Sequence, residues 1–321
     1  MTALIRVENL GKRYGKVTAV QNLNLDVRAG TVFGFVGENG AGKTTTLSIL
    51  ATLMLPSSGR AYINGCEVTT EPALVRRQIG FLPDEFGVYN DLSVREYLAF
   101  YGTAYGVDGH LLERRSTELL NLVNLEERAE DVVNSLSRGM KQRLGLARSL
   151  MHDPPVLILD EPASGLDPRS RIEMREIIKG LRGRGKTIMI SSHILPELAD
   201  MCDEIGIIQR GTLVACAAVE VMNARVTGKR HLLLEVLTGG ARLAYMLGHL
   251  GDVAEVLKVE ESRVEFIFSG SEAEQVELIR ELALSGFQMK SFQELGGSLE
   301  DLFLRLTADG DAGRSAVVKM A

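Results

Sequence analysis

The run Thr31-Val-Phe-Gly-Phe-Val36 is apolar enough for a strand buried on both faces. It leads directly into Gly37-Glu-Asn-Gly-Ala-Gly42-Lys43-Thr44. No other stretch limits the fold as strongly. Its glycines, with Gly37, Gly40 and Gly42 at the bends, let the backbone curl so that successive N–H groups point at phosphate oxygens. Lys43 can reach β- and γ-phosphates, and the Thr44 hydroxyl suits Mg²⁺. A helix opening at Thr44 aims its positive end at the same anion. That chemistry requires a strand before the loop and a helix after it. Both are legible: apolar spacing predicts a helix from Thr44 to Met54, broken by Pro56-Ser-Ser-Gly59. Asn39 and Thr45 belong to the same phosphate-binding turn. The expectation is an α/β fold around a nucleotide phosphate site.

A second apolar strand, Val156-Leu-Ile-Leu159, ends in Asp160-Glu161, and a third spans Thr187-Ile-Met-Ile190. Strands of this type suit a parallel sheet covered on both faces. The spacing predicts Asp160 at the C-terminal edge of that sheet, beside the phosphate loop. There it would hold Mg²⁺ through water, with Glu161 polarising the attacking water. Leu136-Ser137-Arg138-Gly139-Met140 precedes a helical pattern. Ser137 can serve there as a simple N-cap, or the helix start can contact a second phosphate. Ahead of the loop, Ile5, Val7 and Leu10, then Leu23, Leu25 and Val27, alternate as strands. Asn64-Gly65 marks a hairpin, and residues 92–150 are mostly helical in pattern.

Composition changes near residues 217–230. Residues 1–230 carry 28 Lys and Arg against 27 Asp and Glu, a net of +1, whereas residues 231–306 carry 6 against 13, a net of −7. The excess negative charge lies in the C-terminal third, so no basic stripe for nucleic acid is expected. That third alternates as strand 231–237, helix 241–250, strand 253–259, strand 263–268, helix 272–285 and strand 287–292. The order β-α-β-β-α-β predicts a small α+β domain of ferredoxin-like type. Ser298-Leu-Glu-Asp301 resembles a capping box before a short helix with Leu299, Leu302, Phe303 and Leu306 on one face. Residues 307–321 then read as a loose tail. The domains expected are thus 1–225, 231–306 and a tail from 307.

The three cysteines (Cys66, Cys202, Cys216) have no CxxC spacing and are too few for a disulfide framework, so free thiols are expected. The first ten residues enter strand alternation at once with charges at Arg6 and Glu8, and no signal peptide is expected. No window reaches the roughly 18 apolar residues of a membrane span.

Taken in order, the phosphate loop, Leu136-Ser-Arg-Gly139, Asp160-Glu161, Ser164-Gly-Leu-Asp167 and Ser192-His193 resemble the motif series of the ATP-binding cassette (ABC) ATPases, over roughly residues 1–220. The resemblance implies a P-loop NTPase fold, an ABC nucleotide-binding domain with antiparallel β and helical subdomains. It implies ATP and Mg²⁺ as ligands. Tyr14, in Lys12-Arg-Tyr-Gly15, would stack on adenine. Thr44, Asp84 and Asp160 would serve the metal. Glu161 and His193 would be catalytic, His193 contacting the γ-phosphate. Ser137 and Gly139 would touch the γ-phosphate of ATP held by the opposite subunit, and Asp167 would lie in the loop crossing the dimer. One phosphate loop and one signature per chain imply a homodimer or a closely similar ATPase partner.

Three positions depart from the family pattern: Asp84 stands where Gln is usual, Arg138 where Gly is usual and Met140 where Gln is usual. The Pro83–Val94 stretch and the Ser298–Phe303 phrase resemble ATPase subunits of ABC-2-type exporters, the group that includes drug-resistance and sodium-export ATPases. That implies a separate transmembrane permease docked on the helical region around residues 84–105. It also implies a peripheral position on the cytoplasmic face of the plasma membrane. Two other readings compete: a soluble ABC ATPase acting on ribosomes or DNA, and a nucleotide-gated interaction protein with low turnover. The acidic C-terminal module reads as a dimer-supporting or regulatory platform, with a small-ligand sensor as the alternative.

Overall fold

A computed structural model of the chain describes residues 3–85, 87, 89, 91–220, 230–294 and 318–319. These fall into two compact units divided between Ala217 and Ala218, with the 318–319 strand belonging to the first.

The first unit opens with β1 (Ala3–Tyr14), β2 (Val17–Arg28) and β3 (Val32–Val36), followed by α1 (Lys43–Leu50), β4 (Ser58–Ile63) and β5 (Cys66–Glu67). Next come α2 (Pro72–Gln78), β6 (Ile79–Leu82), α3 (Val94–Ala104), α4 (Gly109–Leu122), α5 (Arg138–Ser149) and β7 (Val156–Leu159). The unit continues with α6 (Pro168–Gly183), β8 (Thr187–Ser192), α7 (Leu195–Ala199), β9 (Glu204–Gln209) and β10 (Thr212–Ala218). One sheet is four-stranded, ordered β2-β1-β4-β5, and its described pairings are antiparallel. The other runs β15-β10-β9-β3-β8-β7-β6, where β15 is Val318–Lys319. Strands β6, β7, β8, β3 and β9 pair in parallel. All residues of β3, β7 and β8 are buried, as a parallel sheet covered on both faces requires. The alternating inner faces of β1 and β2 join Phe33, Phe35, Leu47, Ile49 and Ile158 in one core.

Two sequence expectations are corrected here. The helix after the phosphate loop ends at Leu50 rather than Met54. Leu53 and Leu55 are exposed, and Thr52 turns left-handed at φ +61°, which breaks the helical path. The phosphate-loop strand and the strand before Asp160 flank β8 in the sheet. The region around 84–105 is helical only from Val94 onward. A capping box fixes that start: Glu96 N–H donates to Ser93 Oγ at 3.2 Å and Ser93 N–H to Glu96 Oε2 at 2.8 Å.

The second unit contains β11 (Arg230–Val236), α8 (Gly240–Leu247), β12 (Val253–Val259), β13 (Arg263–Phe268), α9 (Glu272–Leu284) and β14 (Met289–Glu294). Its sheet is ordered β12-β13-β11-β14, with every described pairing antiparallel. This is the ferredoxin-like arrangement. Leu232, Leu234, Val264, Phe266 and Phe268 pack under Leu243, Leu247, Leu278 and Leu282 of the two helices. The last strand starts two residues later than expected, since Phe287 is spent on this core before pairing begins. The Ser298–Leu306 segment and most of the tail lie outside the described residues. Among the described residues, no helix is long and apolar enough to cross a membrane.

Candidate nucleotide site

The register carries Phe35 opposite Ser191 and Leu159 opposite Ile190, so β3, β8 and β7 end side by side and release three loops into one place. Asn39, Gly40, Gly42, Lys43, Thr44 and Thr45 come from the first loop, Asp84 from the end of β6, Glu161 from β7 and His193 from β8. Together they line one cleft of about 380 Å³, which Ala19 and Ser164 complete.

The loop conformation admits only glycine at two points. Gly42 has φ +108°, and a β-carbon there would stand 2.4 Å from the Ala19 carbonyl oxygen. At Gly37 a β-carbon would stand 2.4 Å from the Ile208 carbonyl oxygen, so the loop is pressed onto β9. Gly37 shapes the loop from behind and does not line the cleft.

Lys43 is buried, donating from Nζ to the Gly37 carbonyl at 2.6 Å and to the Glu38 carbonyl at 3.2 Å. The same ammonium stands 3.3 Å from Glu161 Oε1, an ion pair without hydrogen-bond alignment. Glu161 Oε2 lies 2.9 Å from His193 Nδ1. The Glu161 backbone is left-handed at φ +49°, which turns its side chain out of the strand direction. Strain of this kind is stored where the surroundings over-determine it. Here the Glu161 N–H donates to Ser191 Oγ at 2.9 Å, and that hydroxyl donates to Asp160 Oδ1 at 2.5 Å. Asp160 is 1% exposed, and no basic side chain among the described residues forms an ion pair with it. Ser191 thus spans the strand that separates the two motifs. Sequence reasoning missed it; its only signal was a small polar residue ending an apolar strand.

Asp84 sits at the cleft rim. Desolvation is the main cause lifting its carboxyl above the usual carboxylate range; Asp160, Glu161 and Glu85 add to the lift, and the Arg138 guanidinium opposes it. The arrangement gathers one cation, one imidazole and three carboxylates around a loop of backbone donors. Chemically it can grip a polyphosphate and orient water for attack on its terminal phosphorus.

Besides Gly37 and the buried Asp160, four of the expected residues do not line this cleft. Tyr14 is 46% exposed at the end of β1, with its hydroxyl donating to Met54 Sδ at 2.8 Å and the Lys12 ammonium 5.2 Å from its ring. Ser137 caps α5 through its Oγ, which accepts from Met140 N–H at 3.3 Å. Gly139 is packed so tightly that a β-carbon would lie 2.5 Å from Ser170 Oγ. Asp167 caps α6, taking the Ser170 N–H at 3.0 Å and its hydroxyl at 2.7 Å. Those hydrogen bonds, the hydroxyl's first, hold the Asp167 carboxyl below its ordinary range.

The family described as ABC transporter matches residues 20–164. The linearmycin resistance ATP-binding protein LnrL of Bacillus subtilis (strain 168) is 34% identical over 311 residues, which cover 95% of this chain and 98% of LnrL. The bacitracin transport ATP-binding protein BcrA of Bacillus licheniformis is 34% identical over 314 residues, covering 98% of this chain and 100% of BcrA. Among solved structures, the dimeric post-hydrolysis state of the ATP-binding cassette MJ0796, bound to ADP and Pi, matches with a TM-score of 0.61 at 26% identity. That match covers 67% of this chain and 98% of the cassette. Similarity along nearly the whole length of LnrL and BcrA, together with a phosphate loop facing Glu161, places the chain in a family: it belongs to the ATP-binding proteins of ABC transporters.

Proposed function

We propose that this chain is the ATP-hydrolysing subunit of an ABC exporter, acting from the cytoplasmic face of the membrane through a separate permease. The observation that carries the hydrolytic reading is the Glu161 carboxylate held between Lys43 and His193 at the mouth of the phosphate loop. Export is supported by the relatives, which are named for linearmycin resistance and bacitracin transport.

In this reading the loop amides and Lys43 bind the β- and γ-phosphates, and Tyr14 stacks on the adenine. Glu161 orients and polarises the attacking water, and His193 holds Glu161 and contacts the γ-phosphate. Ser137 and Gly139 meet the γ-phosphate of ATP bound to the other copy, and Asp167 lies where the two copies cross. A dimer is supported by the dimeric cassette of similar fold. Because Ser137 and Gly139 stand outside the cleft, each subunit would complete the other's site.

The donor set fits Mg²⁺. Asp160 is a buried carboxylate with no basic partner among the described residues, and Asp84 faces the same acidic cluster. Among the described residues no group of three His, Cys, Asp or Glu could hold a metal unaided, so the ion would share phosphate oxygens and water with Thr44, Asp160 and Asp84. When bound, Mg²⁺ neutralises charge developing on the phosphate oxygens.

The permease would dock near α3. Phe100 and Tyr89 are 48% and 51% exposed, with ring centroids 5.0 Å apart, and Tyr101 adjoins both. An exposed aromatic cluster of this kind marks a protein-binding surface. Closure on ATP and opening after hydrolysis would drive alternating access in that partner.

The test is capture from native membranes with Glu161→Gln protein in ATP. A polytopic membrane protein is the expected catch. Recovery of ribosomal proteins, or of the chain alone, would overturn the exporter reading.

A further inference from the structure

Arg138 begins α5 between Ser137 and Gly139, and its side chain runs to the Ser164–Asp167 turn. A β-carbon built on Gly165 would stand 2.8 Å from Arg138 Cζ, 2.9 Å from Nη1 and 3.0 Å from Nη2. Three nearly equal distances to a planar group mean that the guanidinium lies face-on over the side of Gly165 where a β-carbon would project. Only glycine permits that approach, and Gly165 also has φ +66°. A guanidinium can stack in this way and an ammonium cannot.

Helix α5 also meets α6, the helix that follows this turn, at two further points. Gly139 abuts Ser170, whose hydroxyl is tied to Asp167. One turn further along, Arg143 Nη2 stands 3.3 Å from Glu173 Oε2 of α6. Arg138 also reaches toward the cleft, where its charge opposes the lift that burial, Asp160, Glu161 and Glu85 impose on Asp84.

We propose that Arg138 is a positioning residue: its guanidinium, stacked on Gly165, fastens the start of α5 to the Ser164–Asp167 turn, so that the two elements move as one body. Its consequence for turnover rests on the reading above, in which Ser137, Gly139 and Asp167 all act across the dimer. If so, the fastening delivers these groups to the opposite subunit in fixed relation, and its loss reduces the population of correctly closed dimers. The site of fastening lies within one chain and is separate from the phosphate loop that binds ATP.

The test uses the full chain with Arg138→Ala and Arg138→Lys, each first checked for an unchanged far-UV spectrum. Hydrogen exchange is followed in peptides spanning residues 163–167 without nucleotide. We expect exchange there to rise about tenfold in Arg138→Ala, the size of an ordinary contact coupling. Exchange in α1 and β3 should not change. Arg138→Lys, which keeps the charge and lacks the flat face, should stay close to Arg138→Ala. In turnover, kcat falls about tenfold while the KM for ATP stays within about twofold. Unchanged exchange at 163–167 in Arg138→Ala, or full recovery with Lys, would overturn the fastening. Faster exchange with unchanged kcat would uphold the fastening and instead overturn the across-dimer reading of these loops.

Discussion

His193 Nδ1 and Glu161 Oε2 stand 2.9 Å apart, and the other oxygen of that carboxylate faces Lys43 at 3.3 Å. One glutamate therefore joins the loop that grips phosphate to the loop that follows β8. Three chain segments far apart in sequence meet at this carboxylate, each placed by a parallel strand.

Glu161→Gln keeps the size of the side chain and removes its charge. Loss of a positioned base costs roughly 10²- to 10⁴-fold in rate. Steady-state ATP turnover should fall by that amount while binding of a fluorescent ATP analogue persists. His193→Ala should also lower turnover, but less: it removes the γ-phosphate contact and the contact that orients Glu161, while the Glu161 carboxylate itself stays in the cleft. Equal turnover in wild-type and Glu161→Gln protein would remove Glu161 from the mechanism.

The phosphate loop offers a paired test of backbone geometry. Gly40 and Gly42 both have positive φ, +82° and +108°, but only Gly42 is hemmed in, 2.4 Å from the Ala19 carbonyl oxygen at its β-position. Gly40→Ala pays only the left-handed penalty of about 1–2 kcal/mol. Gly42→Ala adds a steric overlap, so the loop must move and nucleotide affinity should fall steeply. At about 2–4 °C per kcal/mol, Gly40→Ala should shift Tm by a few degrees. Calorimetry of both variants, with and without ATP, reads the difference; a larger loss in Gly40→Ala than in Gly42→Ala would contradict it.

Ser191→Ala strips two buried groups of their partner at once, the Asp160 carboxylate and the Glu161 N–H. Leaving such groups unsatisfied costs about 1–3 kcal/mol. The denaturation midpoint should drop accordingly. Adding Asp160→Asn should cost less in the Ser191→Ala background than in wild type, because the two residues share one hydrogen bond. Strict additivity in that double-mutant cycle would mean the bond contributes nothing.

The sheet was legible because its strands are short apolar runs with nothing else they could be: Val32–Val36, Val156–Leu159 and Thr187–Ile190 are buried at every position. The cleft was legible because phosphate chemistry imposes local spacing, so Gly37 to Thr45 lie in one stretch. What the sequence withheld depends on adjacency across the fold. Nothing local says that β8 lies between β3 and β7, so the bridging role of Ser191 was invisible. Nothing local says that the Arg138 side chain lies over Gly165. Strands β9 and β10 and the pairing of Val318–Lys319 with Ala215–Cys216 were likewise unanticipated. The early stop of α1 at Leu50 goes with the left-handed turn at Thr52, which the apolar spacing did not signal.

Asp84 gives a pH signature with a definite sign. Its carboxyl is lifted above the ordinary range, by burial first and by Asp160 and Glu161 next. The folded chain therefore holds this proton more tightly than the unfolded chain. Stability falls as pH rises from the ordinary carboxylate value through the lifted one, and the loss persists at neutral pH. Asp84→Asn removes that loss. Its Tm should match wild type in acid, below the ordinary carboxylate value, and exceed it at pH 7. Because Asp84 is exposed at the rim, the difference should be small. A wild-type Tm above that of Asp84→Asn at pH 7 would reverse the sign.

Tyr14 tests whether the adenine platform is built where the sequence places it. Its ring is half-exposed, with the Lys12 ammonium over one face and its hydroxyl held by Met54. A preformed, half-exposed ring loses little freedom when a base stacks on it, and such stacking is worth about 1–3 kcal/mol per base. Tyr14→Ala should therefore weaken ATP binding roughly 5- to 150-fold, and Tyr14→Phe, which keeps the ring, should lie close to wild type. The phosphates are held elsewhere, so inorganic tripolyphosphate should compete equally well against both variants. The informative measurement is the ratio of ATP to tripolyphosphate affinity: it should collapse in Tyr14→Ala alone. A ratio that does not move would place the base on some other surface.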